Sequence, residues 1–93
     1  MDQGPLNSLF KSTKVTIANT ATPIPGTILK GRRSMVIKNE GANTIYLGSS
    51  NVSVANGYKL NAGDEKPFDV GQDIILYGIV ATGTEELRVL EGA

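Results

Sequence analysis

Four carboxylates, at Asp64, Glu65, Asp69 and Asp73, form the densest cluster of side chains able to bind a metal or catalyse hydrolysis. Oxygen ligands at short spacing suit Ca²⁺, but this spacing matches no EF-hand loop. Glycosidic cleavage needs two carboxylates across a cleft, and so short a chain gives no sign of a cleft. We therefore interpret the four as solvated turn charges and predict no metal site and no cofactor.

A second charged cluster, formed by Lys30, Arg32 and Arg33, gives the chain a basic turn. Arginine pairs well with carboxylate and phosphate, so this turn is a candidate contact for an acidic surface on a partner protein. The alternative is a solvated turn. Nucleic acid and anionic membranes are not expected partners, because 9 basic residues balance 9 acidic ones and no aromatic residues interleave with the basic cluster.

The chain contains neither histidine nor cysteine, so it lacks the side chains on which most catalytic sites depend. The commonest general base, the commonest metal ligand, disulfides and thiolate sites are therefore excluded. A Ser-His-Asp triad cannot form, and the glycines stand singly at turns, where neither a P-loop nor a dinucleotide-binding fingerprint would place them. We expect a protein that binds other proteins and is not an enzyme.

A chain of 93 residues has room for one domain. Residues 14–93 are rich in β-branched residues, with turn residues about every 8–12 positions, which is typical of short antiparallel strands. We predict an all-β antiparallel β-sandwich, jelly-roll-like or Ig-like, of about eight short strands. Residues 1–13 are predicted to be an extended N-terminal arm, whose apolar residues Leu6, Leu9 and Phe10 either belong to a frayed terminus or dock on a neighbouring subunit.

Alternating apolar and polar residues place the strands. The strand at 34–39 is predicted to form a hairpin with 44–47, and 73–81 should be a central strand or one whose second face meets another subunit. Gly78 is expected at a bulge or bend, and Pro23 and Pro25 at an edge or in a loop. The other predicted strands are 14–20, 27–30, 52–54, 58–60, 66–70 and 86–91.

Apolar residues also occur on the strand faces opposite the predicted core. Either a second sheet covers them, or a partner does, because so many exposed apolar groups would be a liability for a monomer. They are candidates for an oligomer interface: Val36, Tyr46, Ile75, Tyr77 and Leu90.

Five segments, 34–41, 44–48, 57–64, 76–81 and 87–91, are notable in the sequence; the first contains a hairpin signal of the form I-x-N-x-G at 37–41 and the second contains one of the form I-Y-x-G at 45–48. Together they resemble small virion proteins of tailed phages over residues 15–91. The shared motif contains no catalytic residues. The resemblance implies a β-sandwich that serves as a virion part, either a capsid decoration (cement) protein or a head-fibre, neck or tail component.

We expect a capsid decoration protein that bridges neighbouring capsid subunits through the arm or the basic turn. The alternative is a neck, tail or head-fibre module for assembly or host recognition, with the loops at 49–51 and 61–65 meeting its target. The expected partners are the major capsid protein or other virion proteins, together with further copies of this chain. The start of the chain lacks the pattern of a signal peptide, so we expect synthesis in the host cytoplasm and a final location on the capsid surface.

Overall fold

The computed structural model describes residues 9–93 and contains eight strands and, within those residues, no helix. No helix in this described part is therefore long and apolar enough to cross a bilayer. The strands are β1 (Phe10–Ile17), β2 (Thr22–Ile24), β3 (Ser34–Asn39), β4 (Ile45–Gly48), β5 (Tyr58–Leu60), β6 (Glu65–Phe68), β7 (Leu76–Ile79) and β8 (Glu85–Gly92).

The strands form two four-stranded sheets, with order β1-β8-β3-β6 in the first and β2-β7-β4-β5 in the second. Every pairing is antiparallel, and β1 pairs with β8, β2 with β7, β3 with β6 and β4 with β5. The four strands of the first half of the chain thus pair with the four strands of the second half. Two of these antiparallel pairs lie in each sheet. This is jelly-roll topology, which confirms the predicted β-sandwich and selects the jelly roll over the Ig-like alternative.

The core lies between the two sheets and is built from the inward residues of each strand. Alternation predicted these faces correctly for Met35 and Ile37, for Ile45 and Leu47, and for Leu87 and Val89, all of which are buried. The core cluster of buried residues is Val15, Ile17, Ile24, Met35, Ile37, Ile45, Leu47, Leu60, Val80, Leu87 and Val89.

The predicted hairpin between residues 34–39 and 44–47 is wrong. Strand β3 lies in the first sheet between β8 and β6, whereas β4 lies in the second sheet between β7 and β5. The short connection after Asn39 crosses from one sheet to the other. Two consecutive strands with matching alternation can line opposite walls of one core as well as neighbour each other, and the sequence pattern is the same in both cases.

The first strand begins at Phe10, inside the predicted arm. Residues 10–13 pair with β8, so they belong to the sandwich, while Leu6 lies outside the described residues. The predicted strands at 27–30 and 52–54 are turns and irregular segments instead. A strand forms at Thr22–Ile24, where Pro23 is tolerated because β2 is an edge strand and one side of it needs no backbone donor.

Strand β7 is central in its sheet, as predicted, but Gly78 marks neither a bulge nor a bend. It is buried and stays in register with Leu47 on one side and Thr22 on the other. A Cβ at this position would lie 2.9 Å from Ile24 Cδ1 and 3.2 Å from Ile45 Cγ2. Glycine is therefore needed here because core side chains pack directly against the backbone.

Glu85 holds the connection between β3 and β4. Its Oε2 accepts hydrogen bonds from the backbone N–H groups of Ala42 at 3.1 Å and Asn43 at 2.8 Å. Its Oε1 accepts one from the N–H of Glu86 at 3.1 Å. These backbone donors, Asn43 foremost, lower the pKa of the Glu85 carboxyl below its ordinary value.

The lowered pKa of Glu85 predicts an acid-sensitive contribution to stability. Ionised Glu85 stabilises the fold above its ordinary pKa, and this contribution is lost as the pH falls through the lowered value. In urea unfolding between pH 7 and about pH 3, we expect Glu85→Gln to be less stable than wild type at neutral pH and to converge with it in acid. Glu65→Gln, at an exposed position in β6, is the control. A constant gap between wild type and Glu85→Gln at every pH would contradict the assignment.

Candidate protein-binding surface

The outer face of the first sheet carries a largely apolar row of side chains. In register across the four strands lie Ser12, Leu90, Val36 and Pro67. Leu90 is 42% exposed. An exposed leucine beside a half-buried valine gives this face a small apolar centre.

A basic row lies one step along the same strands. Lys14, Arg88 and Lys38 are in register across β1, β8 and β3, and Glu65 of β6 ends the row beside Lys38. All four share the outer face because side chains two residues apart point to the same side. A shallow depression of about 360 Å³ is lined by these cations and Leu90. We call this surface the Leu90 face and define it by Lys14, Val36, Lys38, Arg88 and Leu90.

Two of the three cations have carboxylate neighbours. Lys14 Nζ lies 3.6 Å from Glu86 Oε2, and Lys38 Nζ lies 3.6 Å from Glu40 Oε2. Arg88 makes no ion pair within residues 9–93. Exposed pairs of this kind contribute little to stability, so the basic row remains available to carboxylates on a partner.

Two of the predicted arm residues are highly exposed at one end of the Leu90 face. Phe10 is 75% exposed and Leu9 is 56% exposed. Phe10 is opposite Gly92 in the register, and a Cβ on Gly92 would lie 3.4 Å from the ring of Phe10. The ring thus lies over the bare backbone of Gly92 and presents its other face to solvent.

The fold buries one residue of the basic turn and exposes the other two. Lys30 and Arg33 are exposed, as a contact surface requires, but Arg32 is buried and does not face a partner. Its Nη1 lies 3.1 Å from Glu91 Oε2, and both side chains are completely covered. Treating Arg32 as a partner-binding residue is therefore incorrect, because its charge is used inside the protein.

The buried ion pair organises three backbone segments. Arg32 Nη2 donates to the carbonyl oxygens of Gly71 at 2.9 Å and Ile74 at 2.6 Å. Glu91 Oε2 also accepts a hydrogen bond from the N–H of Leu29 at 3.1 Å. The pair thus connects β8 to the β2–β3 and β6–β7 connections. One signal for it exists in the sequence, since Glu91 continues the inward positions of β8 and a carboxylate there requires a cation.

The predicted oligomer-interface residues do not form one surface. Val36 and Leu90 belong to the Leu90 face, whereas Tyr46 and Tyr77 are in register with Ile79 and Gly48 on the outside of the second sheet. Ile75 precedes β7 and is 47% exposed. Residues on opposite faces of a sandwich cannot meet the same partner surface together.

The four residues of the acidic cluster are exposed, and one of them, Asp64, stabilises a turn. Asp64, Glu65, Asp69 and Asp73 are all exposed. Asp64 closes the β5–β6 turn, where its Oδ2 accepts a hydrogen bond from the N–H of Asn61 at 2.9 Å. Within residues 9–93, no group of three or more acidic residues is arranged to hold a metal ion.

A second apolar feature, which the sequence did not reveal, opens between the sheets at the β5 and β6 edge. It is a pocket of about 180 Å³. Lys66 Nζ lies 4.8 Å from the centroid of the Tyr58 ring and 5.7 Å from that of the Phe68 ring. We call it the edge pocket, and its lining residues are Leu47, Gly48, Tyr58, Lys66, Phe68 and Leu76.

The Leu90 face suits a partner that offers an apolar side chain for the depression and carboxylates for the basic row. An apolar centre with a charged rim is the usual organisation of a protein–protein interface. Comparison with models of protein families, with curated proteins and with solved structures finds no match for this chain.

Proposed function

We propose that this protein is a structural component of a tailed-phage virion that decorates the capsid and stabilises it through protein–protein contacts. The observation that carries the proposal is the Leu90 face, where an exposed leucine lies beside a basic row on a four-stranded sheet. The resemblance of residues 15–91 to small virion proteins adds the setting in which such a face would be used.

Charge and exposure favour an acidic partner surface over a second copy of the same face. If two Leu90 faces met with their strands aligned, Lys14, Lys38 and Arg88 of one copy would oppose the same cations of the other, which is unfavourable. A capsid surface with carboxylates around an apolar patch would satisfy both rows. Arg88 is best suited to such contact, because arginine binds carboxylate with two parallel hydrogen bonds.

Stabilisation of the shell would follow from mass action. A protein that binds only the assembled shell, and not its separated subunits, shifts the equilibrium towards assembly. Heads that lack the protein are therefore expected to release their DNA at a lower temperature than complete heads. Equal heat resistance of the two kinds of head would contradict the cement role.

Leu90→Lys tests the docking face. This change places a fourth cation on the apolar centre, and we expect at least about a tenfold weaker binding to purified heads lacking the protein, measured by co-sedimentation. The matched control is Val54→Lys, because Val54 is 41% exposed where Leu90 is 42% exposed, and it lies outside the Leu90 face. Unchanged binding by Leu90→Lys would exclude this face.

The same co-sedimentation experiment distinguishes capsid decoration from the alternative role in the neck, tail or head fibre. The loops at 49–51 and 61–65 are exposed, and apart from Glu65, which is in register with Lys38, they lie outside the Leu90 face. If the purified chain bound tails, necks or host cells but not heads, the neck, tail or head-fibre role would replace capsid decoration.

A further inference from the structure

The edge pocket has the size and lining to receive one aromatic ring. Its volume is about 180 Å³ and its walls are almost entirely apolar. A buried apolar cavity of about 150 Å³ is enough to hold a benzene molecule. A single phenyl group is therefore a suitable occupant for this pocket.

The rim of the pocket also favours an aromatic occupant. Lys66 Nζ lies over both Tyr58 and Phe68, and it makes no ion pair within residues 9–93. A further aromatic ring entering between these groups would pack against the rings of Tyr58 and Phe68. It would also give the Lys66 ammonium group a third aromatic ring to contact.

This chain carries a suitable ring at the opposite edge of the sandwich. It has two phenylalanines, Phe10 and Phe68, and Phe68 already lines the pocket. Phe10 is 75% exposed, the most exposed of the large apolar residues in the described chain. A ring so exposed is the natural candidate to fill the pocket of another molecule.

Topology makes the contact intermolecular. Phe10 lies in β1, while the pocket is lined by β6 of the first sheet and by β4, β5 and β7 of the second. Strands β1 and β6 are the two edges of the first sheet. Three strand spacings, about 14 Å, separate those edges, so Phe10 cannot reach the pocket of its own chain. Both features lie near the same end of the sheet, because the register places Phe10 level with Ser34 and Phe68 level with Met35.

We propose that copies of this chain associate head to tail, with Phe10 of one copy seated in the edge pocket of the next. Each copy then gives its ring to one neighbour and receives a ring from the other. Such a contact joins two different surfaces, so it builds a ring if the rotation closes and a linear row if it does not. The association uses the edge pocket and Phe10, at one end of the Leu90 face, but neither Leu90 nor the basic row, and it does not depend on a capsid.

Two single variants and their mixture test the proposal on the purified chain. Phe10→Ala removes the ring but keeps the pocket, whereas Lys66→Glu alters the pocket rim but keeps the ring. A contact this small is weak, so sedimentation is followed up to about 1 mM protein. We expect wild type to form oligomers, each variant alone to lose at least about tenfold in association, and the equimolar mixture to form dimers and nothing larger.

The mixture distinguishes this contact from symmetric contacts that do not bring Phe10 against the edge pocket, because those are not restored by combining the two variants. Growth of the wild type beyond dimers distinguishes it from a two-fold dimer in which each Phe10 enters the other copy's pocket. Leu90→Ala, at another exposed apolar position, should associate as wild type does, and Tyr58→Ala replaces Lys66→Glu if that variant fails to fold. A wild-type chain that stays monomeric, association that survives Phe10→Ala, or a mixture that remains monomeric would each overturn the proposal. Since no capsid is present, the result is independent of the Leu90 test.

Discussion

Replacing Arg32 by methionine is expected to lower the free energy of unfolding by about 3–5 kcal/mol, because it leaves the Glu91 carboxylate buried without its cation. The Glu91 side chain is completely covered, so water cannot solvate the abandoned charge. The carbonyl groups of Gly71 and Ile74 lose their donor in the same step. Urea unfolding at neutral pH, followed by circular dichroism, measures the effect.

The adjacent Arg33 supplies the matched control. Arg33 is exposed, so Arg33→Met should change stability by no more than about 0.5 kcal/mol. Removing both charges with Arg32→Met and Glu91→Leu should recover part of the loss, since no unpaired charge stays buried. Full recovery is not expected, because the N–H of Leu29 also loses its acceptor. Equal stability of Arg32→Met and Arg33→Met would show that the buried pair does not hold these segments.

The second large effect is expected at Asn39, a completely buried amide where β3 ends. Its Nδ2 donates to the carbonyls of Asn43 at 2.8 Å and Leu60 at 3.0 Å, and its Oδ1 accepts from the N–H of Gly41 at 2.9 Å. Asn39→Leu keeps the number and branching of the side-chain heavy atoms but removes all three hydrogen bonds. Only the bond to Leu60 is fully buried, and the other two are partly buried. At about 1–3 kcal/mol for a buried group left unpaired and less for the partly buried ones, a total loss of roughly 3 kcal/mol is expected in urea unfolding.

Asn19→Leu is the control for this change, because Asn19 is exposed in the β1–β2 turn. It should unfold at nearly the wild-type urea concentration. Asn39→Asp refines the test, since a carboxylate still accepts from Gly41 but no longer donates to Leu60. At neutral pH we expect Asn39→Asp to be at least as destabilised as Asn39→Leu, because its buried carboxylate faces the carbonyl oxygens of Asn43 and Leu60 without a donor. Wild-type stability for Asn39→Leu would show that the amide does not tie these turns together.

Alternation in the sequence predicted which face of a strand is buried, but not which strand lies beside it. Met35 and Ile37 were assigned to the core correctly, and so were Leu87 and Val89. The predicted neighbour of β3, the strand at 44–47, is wrong, because a strand with one buried face fits a hairpin and a sheet-to-sheet crossing equally well. Asn39 continues the inward positions of β3, but nothing in the sequence indicates which backbone groups its amide binds.

For the candidate site, the sequence likewise does not show which charged residues lie side by side in the fold. Lys30, Arg32 and Arg33 form one basic cluster in sequence, yet only the middle residue is buried. The difference arises from Glu91, which is 59 positions away and could be matched to Arg32 only once β8 was placed between β1 and β3. The Leu90 face depends on the same placement, since register across three strands brings Lys14, Arg88 and Lys38 together.

The position of β8 has a consequence for the order in which the protein can form. It is the last strand in the sequence, yet it fills the space between β1 and β3 in the first sheet. Until residues 85–92 have emerged from the ribosome, β1 has no partner and the first sheet cannot close. A nascent chain interrupted before this strand would lack the carboxylate for Arg32 and two of the five residues that define the Leu90 face, so we expect a truncated copy neither to fold nor to present that face.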